Sequence, residues 1–161
     1  MGIRLPRRHH HRHLCGTYAG PMLVLGENNA PVLNDIAWYG GNSSVGYKGA
    51  GWTTPKWPNQ AYPGKVAGPR RIGQKKANAW GLKDMLGNLY EWTLNFTYDY
   101  PDGELVIDPT GPATGKNHPY RGGAWNHYAV QCRAAKSYEG PPTLRGNNLG
   151  FRVALVMKSG P

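Results

Sequence analysis

At 161 residues the chain is sized for one domain, and its 23 Gly and 14 Pro exclude a bundle of long helices, because both residues interrupt regular backbone. Six Trp and 10 Tyr against two Phe point instead to short elements packed under loops by aromatic side chains with a polar handle. The formal net charge of +10 raises nucleic acid as a partner, but Arg4, Arg7, Arg8 and Arg12 crowd the amino terminus and no basic helix face or nucleic-acid motif follows, so nucleic acid is not expected.

Residues 1–28 read as an atypical basic, His-rich leader without periodicity, expected to be disordered. His9, His10, His11 and His13 would collect metal only as a tag does, since the carboxylate or Cys partners of a built site are missing. The leader has charge but no apolar run after it, and no stretch reaches the ~18 apolar residues of a membrane span. A cytoplasmic protein with no membrane partner is therefore expected. Cys15 and Cys132 are too few for a disulfide framework, and a single bridge between them stays open.

Residues 31–41, PVLNDIAWYGG, suggest a short helical or extended piece ending on Gly40 and Gly41. Residues 42–70 read as a long irregular loop punctuated by Pro55, Pro58, Pro63 and Pro69, with Trp52, Trp57 and Tyr62 as its expected ties. From Ala77 the signals become dense. Asn78 to Trp80 predicts a turn, and Gly87 with Asn88 is a turn pair that opens a hairpin or a strand. DPTGP at 108–112 is a further turn. Three strands are predicted after it: one through Tyr120-Arg-Gly-Gly-Ala-Trp, one at Arg133-Ala-Ala-Lys, and a central one from Leu149 whose Phe151, Val153 and Leu155 share a face.

The run NAWGLKDMLGNLYEW, followed in order by DPTGP, RGGAW, CRAAKS and NNLGFRVA, resembles the formylglycine-generating-enzyme or sulfatase-modifying-factor family, and IAWYGGNS at 36–43 resembles its upstream segment. The resemblance implies an α+β, C-type-lectin-like fold of short antiparallel strands and much irregular chain. It divides the sequence into the leader, a partial family domain at 29–156 and a tail at 157–161. Arg4-Leu5-Pro6 resembles the start of a family helix that then breaks off. Residues 1–20 are accordingly expected to mark a truncation, a wrong start or a frameshift that removes the amino-terminal half.

The resemblance also implies sites. One calcium ion would be held at Asp84, Gly87, Leu89 and Glu91 by carboxylates and carbonyls on a turn, hard oxygen ligands of the kind calcium takes. The family's oxidation of a sulfatase cysteine uses two Cys thiolates that bind Cu(I), soft ligands for a soft ion. His127 and Cys132 stand at those positions when no gap is allowed; with the gap that aligns CRAAKS to the family's following strand neither copper Cys is present, and Ala124 replaces a Ser. A related branch uses a three-His iron site, which His118 and His127 alone do not make. Trp80, Trp92 and Trp125 read as core packing rather than as an aromatic ligand groove. Arg121, Arg133 and Arg152 read as internal anchors that bind carbonyls or pair with Glu91 and Asp108. The functional expectation is a catalytically incomplete family domain. Its rivals are a copper-dependent oxidase completed by a partner chain, and a binding module that presents residues 126–148 to a peptide or protein ligand.

Overall fold

The computed structural model describes residues 30–47, 52–53, 66–98 and 111–155. The leader, Cys15, Trp57, Tyr62, Asp108 and the tail lie outside the described residues, as does the Trp52 side chain. Helix within the described residues is limited to two 3-10 turns, Pro31–Leu33 and Ala129–Gln131. Eight short strands carry the rest: β1 (Ala37–Trp38), β2 (Trp52–Thr53), β3 (Val66–Ala67), β4 (Leu86–Gly87), β5 (Tyr90–Trp92), β6 (His118–Arg121), β7 (Ser137–Gly140) and β8 (Leu149–Gly150).

β1 pairs in parallel with β4, and β2 pairs antiparallel with β3. The main sheet has the order β7-β6-β5-β8, antiparallel except for the parallel β5–β8 contact. Its register sets Trp92 opposite Tyr120 and Tyr120 opposite Tyr138, so Tyr90, Trp92, Tyr120 and Tyr138 share one face by strand alternation. Glu91 opposite Arg121 belongs to the other face. One strand of three residues thus feeds two chemically unlike surfaces.

The core lies beside this sheet. Ala30, Leu33, Ala37, Tyr39, Leu86, Ala129 and Cys132 form one buried cluster, with Val32 and Ile36 packed against it. Its polar members are paired, as burial requires. The Tyr39 hydroxyl donates to Ala30 O and lies 3.2 Å from Asn34 Oδ1. Asn42, fully buried, accepts from Tyr39 N and donates to Ala37 O and Asn34 Oδ1. Pro31 opens the first 3-10 turn at a position where its missing N–H leaves no donor unpaired.

The Gly87-Asn88 pair is the junction of the molecule. Both residues sit in the left-handed region, at φ 73° and 62°. A Cβ on Gly87 would lie 2.2 Å from Trp38 O, so glycine is required by space as well as by dihedral. Gly87 N donates to Gly122 O, Asn88 N to Trp38 O, and Trp125 N to Asn88 O. The Asn88 side chain closes a two-way pair with the Arg70 backbone at 2.8 and 3.0 Å. The turn therefore ties β1, the Gly122 bend and the loop before Arg70 to one point, and it opens a strand rather than a hairpin.

Three expectations are corrected here. The stretch from Leu149 is an edge strand of two residues, not a central one, and Phe151, Val153 and Leu155 are 77, 83 and 89% exposed. Their alternation is real, but nothing among the described residues packs on that face. Arg133 to Lys136 is a turn, held by Lys136 N donating to Arg133 O, and the strand begins one residue later at Ser137. Trp80 is not core: it is 69% exposed, because Asn78 Oδ1 accepts from both Trp80 N and Leu82 N and closes a tight surface turn that aims the ring outward.

Candidate functional site

Two concave regions lie on the two faces of β5. The first is a groove of about 420 Å³ lined by Asp84, Gly87, Leu89, Glu91, Phe151 and Arg152, among others. All four residues expected to hold calcium meet there. Asp84 is buried in a left-handed conformation, φ 56°. Its Oδ2 accepts from Gly73 N at 2.6 Å, while its Oδ1 is buried with no hydrogen-bond partner among the described residues. An orphaned buried carboxylate oxygen is costly unless a cation or donor meets it. The set of one orphaned carboxylate oxygen, a second carboxylate and turn carbonyls fits a hard cation such as calcium.

Glu91 in that groove is also engaged by Arg152, whose Nη2 and Nε donate to its two oxygens at 2.8 and 3.0 Å. Nη2 donates as well to Lys83 O. The hydrogen bond to Glu91 holds the Arg152 guanidinium above its ordinary pKa. Arg152 therefore anchors the last strand to the groove. Arg121 donates to the Ala134 and Ala135 carbonyls and Arg133 to Val130 O, so both bind backbone rather than a carboxylate in these contacts. Lys75 is buried against Trp38, its ammonium 3.5 Å from the ring centroid and donating to Asn34 O. Burial pushes its pKa down to about 8.

The second region lies on the aromatic face. Tyr90, Tyr120 and Tyr138 meet edge to face or stacked with centroids 5.2 to 5.8 Å apart, and His127 stands against Tyr90 at 5.0 Å. His127 Nδ1 is 2.8 Å from the Tyr90 hydroxyl, and its Nε2 is 3.4 Å from the Asn148 amide. Burial lowers the His127 pKa, which keeps the ring neutral, and raises that of Tyr90. Trp92 rests at 5.3 Å on Tyr120 and is half-buried. His118, on β6, packs on Phe96 and reaches Asn95 O, apart from His127.

Cys132 behaves differently from its neighbour His127. It is fully buried in the core cluster, and burial pushes its thiol up to about 12. A Cβ on Gly123 (φ 85°) would fall 2.6 Å from its sulfur, so the Gly-Gly of RGGAW is the bare backbone against which this thiol packs. Trp125, completely buried, donates from its indole to Asn147 O while Ser43 donates to its carbonyl. Residue-type reading missed Tyr90, Tyr120, Tyr138 and Asn88 as site-forming groups. The signal for the tyrosines was the alternation within three separate strands, which becomes meaningful only once their register is known.

The model of the sulfatase-modifying factor enzyme 1-like domain matches residues 36–157, and the chain belongs to that family. Its fold is the α+β, C-type-lectin-like fold of that family, dominated by short strands and irregular chain. The chain is 34% identical to the formylglycine-generating enzyme of Bos taurus over 80 residues, 48% of this chain and 21% of that protein. It is 30% identical to the serine/threonine-protein kinase Pkn1 of Chlamydia trachomatis serovar L2 over 151 residues, 80% of this chain and 24% of that one. Treponema denticola variable protein 1 superposes with a TM-score of 0.54 at 28% identity, covering 74% of this chain and 35% of its own. The chain thus spans about a fifth to a quarter of the curated relatives it matches.

Proposed function

We propose that this chain is a catalytically incomplete member of its family that acts by binding a peptide or protein ligand. The observation that supports the incompleteness is the environment of the two positions where the family resemblance, read without a gap, would put copper thiolates. One holds His127, a neutral imidazole already engaged by Tyr90 and Asn148. The other holds Cys132, a thiol enclosed in the core and protonated at neutral pH. The thiolate, not the thiol, is the soft-metal ligand, so this pair is poorly suited to Cu(I). Oxygen uptake by the copper-loaded protein with a Cys-containing sulfatase peptide is the test. No uptake above a Cys132→Ala control is expected, and copper-dependent uptake that this substitution abolishes would overturn the proposal.

The same reading extends to calcium at the groove. Asp84 would supply its orphaned Oδ1, with the carbonyls of Gly87 and Leu89 and the Glu91 carboxylate completing a hard-oxygen set. The ion would there neutralise buried negative charge and brace the turn. A ligand that binds only the folded state raises the unfolding midpoint. Millimolar calcium is expected to raise the midpoint of the parent protein and to leave that of Asp84→Asn unchanged. An unchanged midpoint in the parent would discard the site.

A further inference from the structure

The aromatic face holds a cleft of about 220 Å³ between Tyr90, Tyr120, His127, Tyr138, Leu149 and Arg145. We propose that this cleft binds an aromatic ring carrying a carboxylate, the ring against the tyrosines and the carboxylate on Arg145. The inference rests on the binding function proposed above and names its ligand chemistry.

Size comes first. Sites for drug-sized ligands run to roughly 300–1,000 Å³, and this cleft is smaller, which suits a single ring. Its walls are rings in the two arrangements that aromatic groups favour, Tyr90 edge-to-face at 75 to 80° with Tyr120 and Tyr138, and those two stacked on each other. Burial raises the pKa of Tyr90 and of Tyr120, so these walls are uncharged phenols at any physiological pH. Leu149 adds an apolar contact at the base.

Charge then selects the ligand. No carboxylate lines the cleft. Arg145 is exposed at its edge with no ion-pair partner among the described residues. A cationic guest would meet the like charge of Arg145, and a neutral one would leave the guanidinium fork unmatched. A carboxylate fits that fork in two parallel hydrogen bonds.

The cleft is also preformed. The segment that carries Arg145 is closed by Leu144 N donating to Pro141 O, and it is tied to the core where the Trp125 indole donates to Asn147 O. A preformed cleft loses little ordering entropy on binding.

Two sources share this chemistry: a free aromatic acid, and a peptide chain ending in an aromatic residue. Calorimetric titration with phenylacetate, N-acetyl-phenylalanine, N-acetyl-phenylalanine amide and benzylamine separates them. Both acids should bind saturably, the amide about tenfold more weakly, the size of one charge-assisted pair, and benzylamine not at all. Arg145→Gln should weaken the acids about tenfold and leave the amide unchanged, while Arg145→Lys should recover part of the loss. Tighter binding of N-acetyl-phenylalanine than of phenylacetate assigns the peptide end, and the reverse order assigns the free acid. Equal affinity for acid and amide, no effect of Arg145→Gln, or no binding of either acid would overturn the inference. The catalytic incompleteness proposed above is judged separately by the oxygen-uptake experiment, which does not depend on this cleft.

Discussion

The two faces of β5 make an instructive pair. Tyr90 and Trp92 contribute to an aromatic face whose groups are neutral and mutually packed, whereas Glu91, between them, looks onto a groove that runs from the buried Asp84 to the exposed Arg152. Backbone alternation produces the separation at no cost in chain length. The neutral face is held by ring packing and one hydroxyl–imidazole contact, the charged face by guanidinium forks and by carbonyls. The difference teaches that one short strand can divide apolar recognition from ionic bracing, provided a single junction fixes its register. That junction is Gly87 with Asn88.

Substitution at the junction should break both faces together. Gly87→Ala would force a Cβ against the Trp38 carbonyl carbon and oxygen at a positive φ, and neither backbone neighbour can yield. A loss of more than about 3 kcal/mol, seen as a collapsed unfolding midpoint by circular dichroism, is expected. The aromatic face alone should respond to Tyr90→Phe. That change strips the Tyr90 partner from His127 Nδ1 in a part-buried setting, and about 1 kcal/mol should be lost in denaturant unfolding with the calcium response unaltered.

Lys75 offers a pH test on the charged side. Its folded pKa of about 8 lies below its unfolded value near 10.5, so between those values the unfolded chain binds the extra proton and stability rises with pH. The Trp38 face favours the ammonium and opposes part of this effect. A rise of about 1–2 kcal/mol between pH 8 and 10 is expected relative to Lys75→Met, which should lack that component of the slope. Opposing influences in the same range are Cys132, raised to about 12, and the raised hydroxyls of Tyr39, Tyr90 and Tyr120, whose contributions fall as pH rises through their unfolded values. Comparing each variant with its own parent cancels them.

Arg152→Gln should sharpen the contrast at smaller cost. The pair with Glu91 is partly exposed, with side-chain exposures of 38 and 26%, so about 1 kcal/mol is expected by urea unfolding, falling with added salt. The aromatic cleft should titrate as before. The smallest effect belongs to Val153→Ser: at 83% exposure the side chain contributes little to folding, and a change within about 0.5 kcal/mol is expected.

Much of this architecture was legible in residue order. The run from Asn78 to Trp92 announced a turn, a glycine-asparagine pair and a strand, and the structure has all three. The resemblance of the ordered motifs fixed the family. The pattern misled where local signal and burial part company. Trp80 sits in the same motif as Trp92 and is exposed, because the Asn78 cap directs its backbone outward. Phe151, Val153 and Leu155 alternate as a core strand would, yet they border the sheet edge, and alternation reports only that one face differs from the other.

By itself the sequence determined the kinds of element this protein uses, the family to which it belongs and the glycines that its tightest turns demand, because these follow from dihedral freedom and from the order of motifs. Only the tertiary structure decided that Cys132 is sealed in the core while His127 opens onto a cleft, and that three tyrosines far apart in the chain line that cleft with Arg145. The physical reason is that register and burial are set by contacts between distant segments, here the backbone bonds that Gly87 and Asn88 make with Trp38, Gly122 and Trp125.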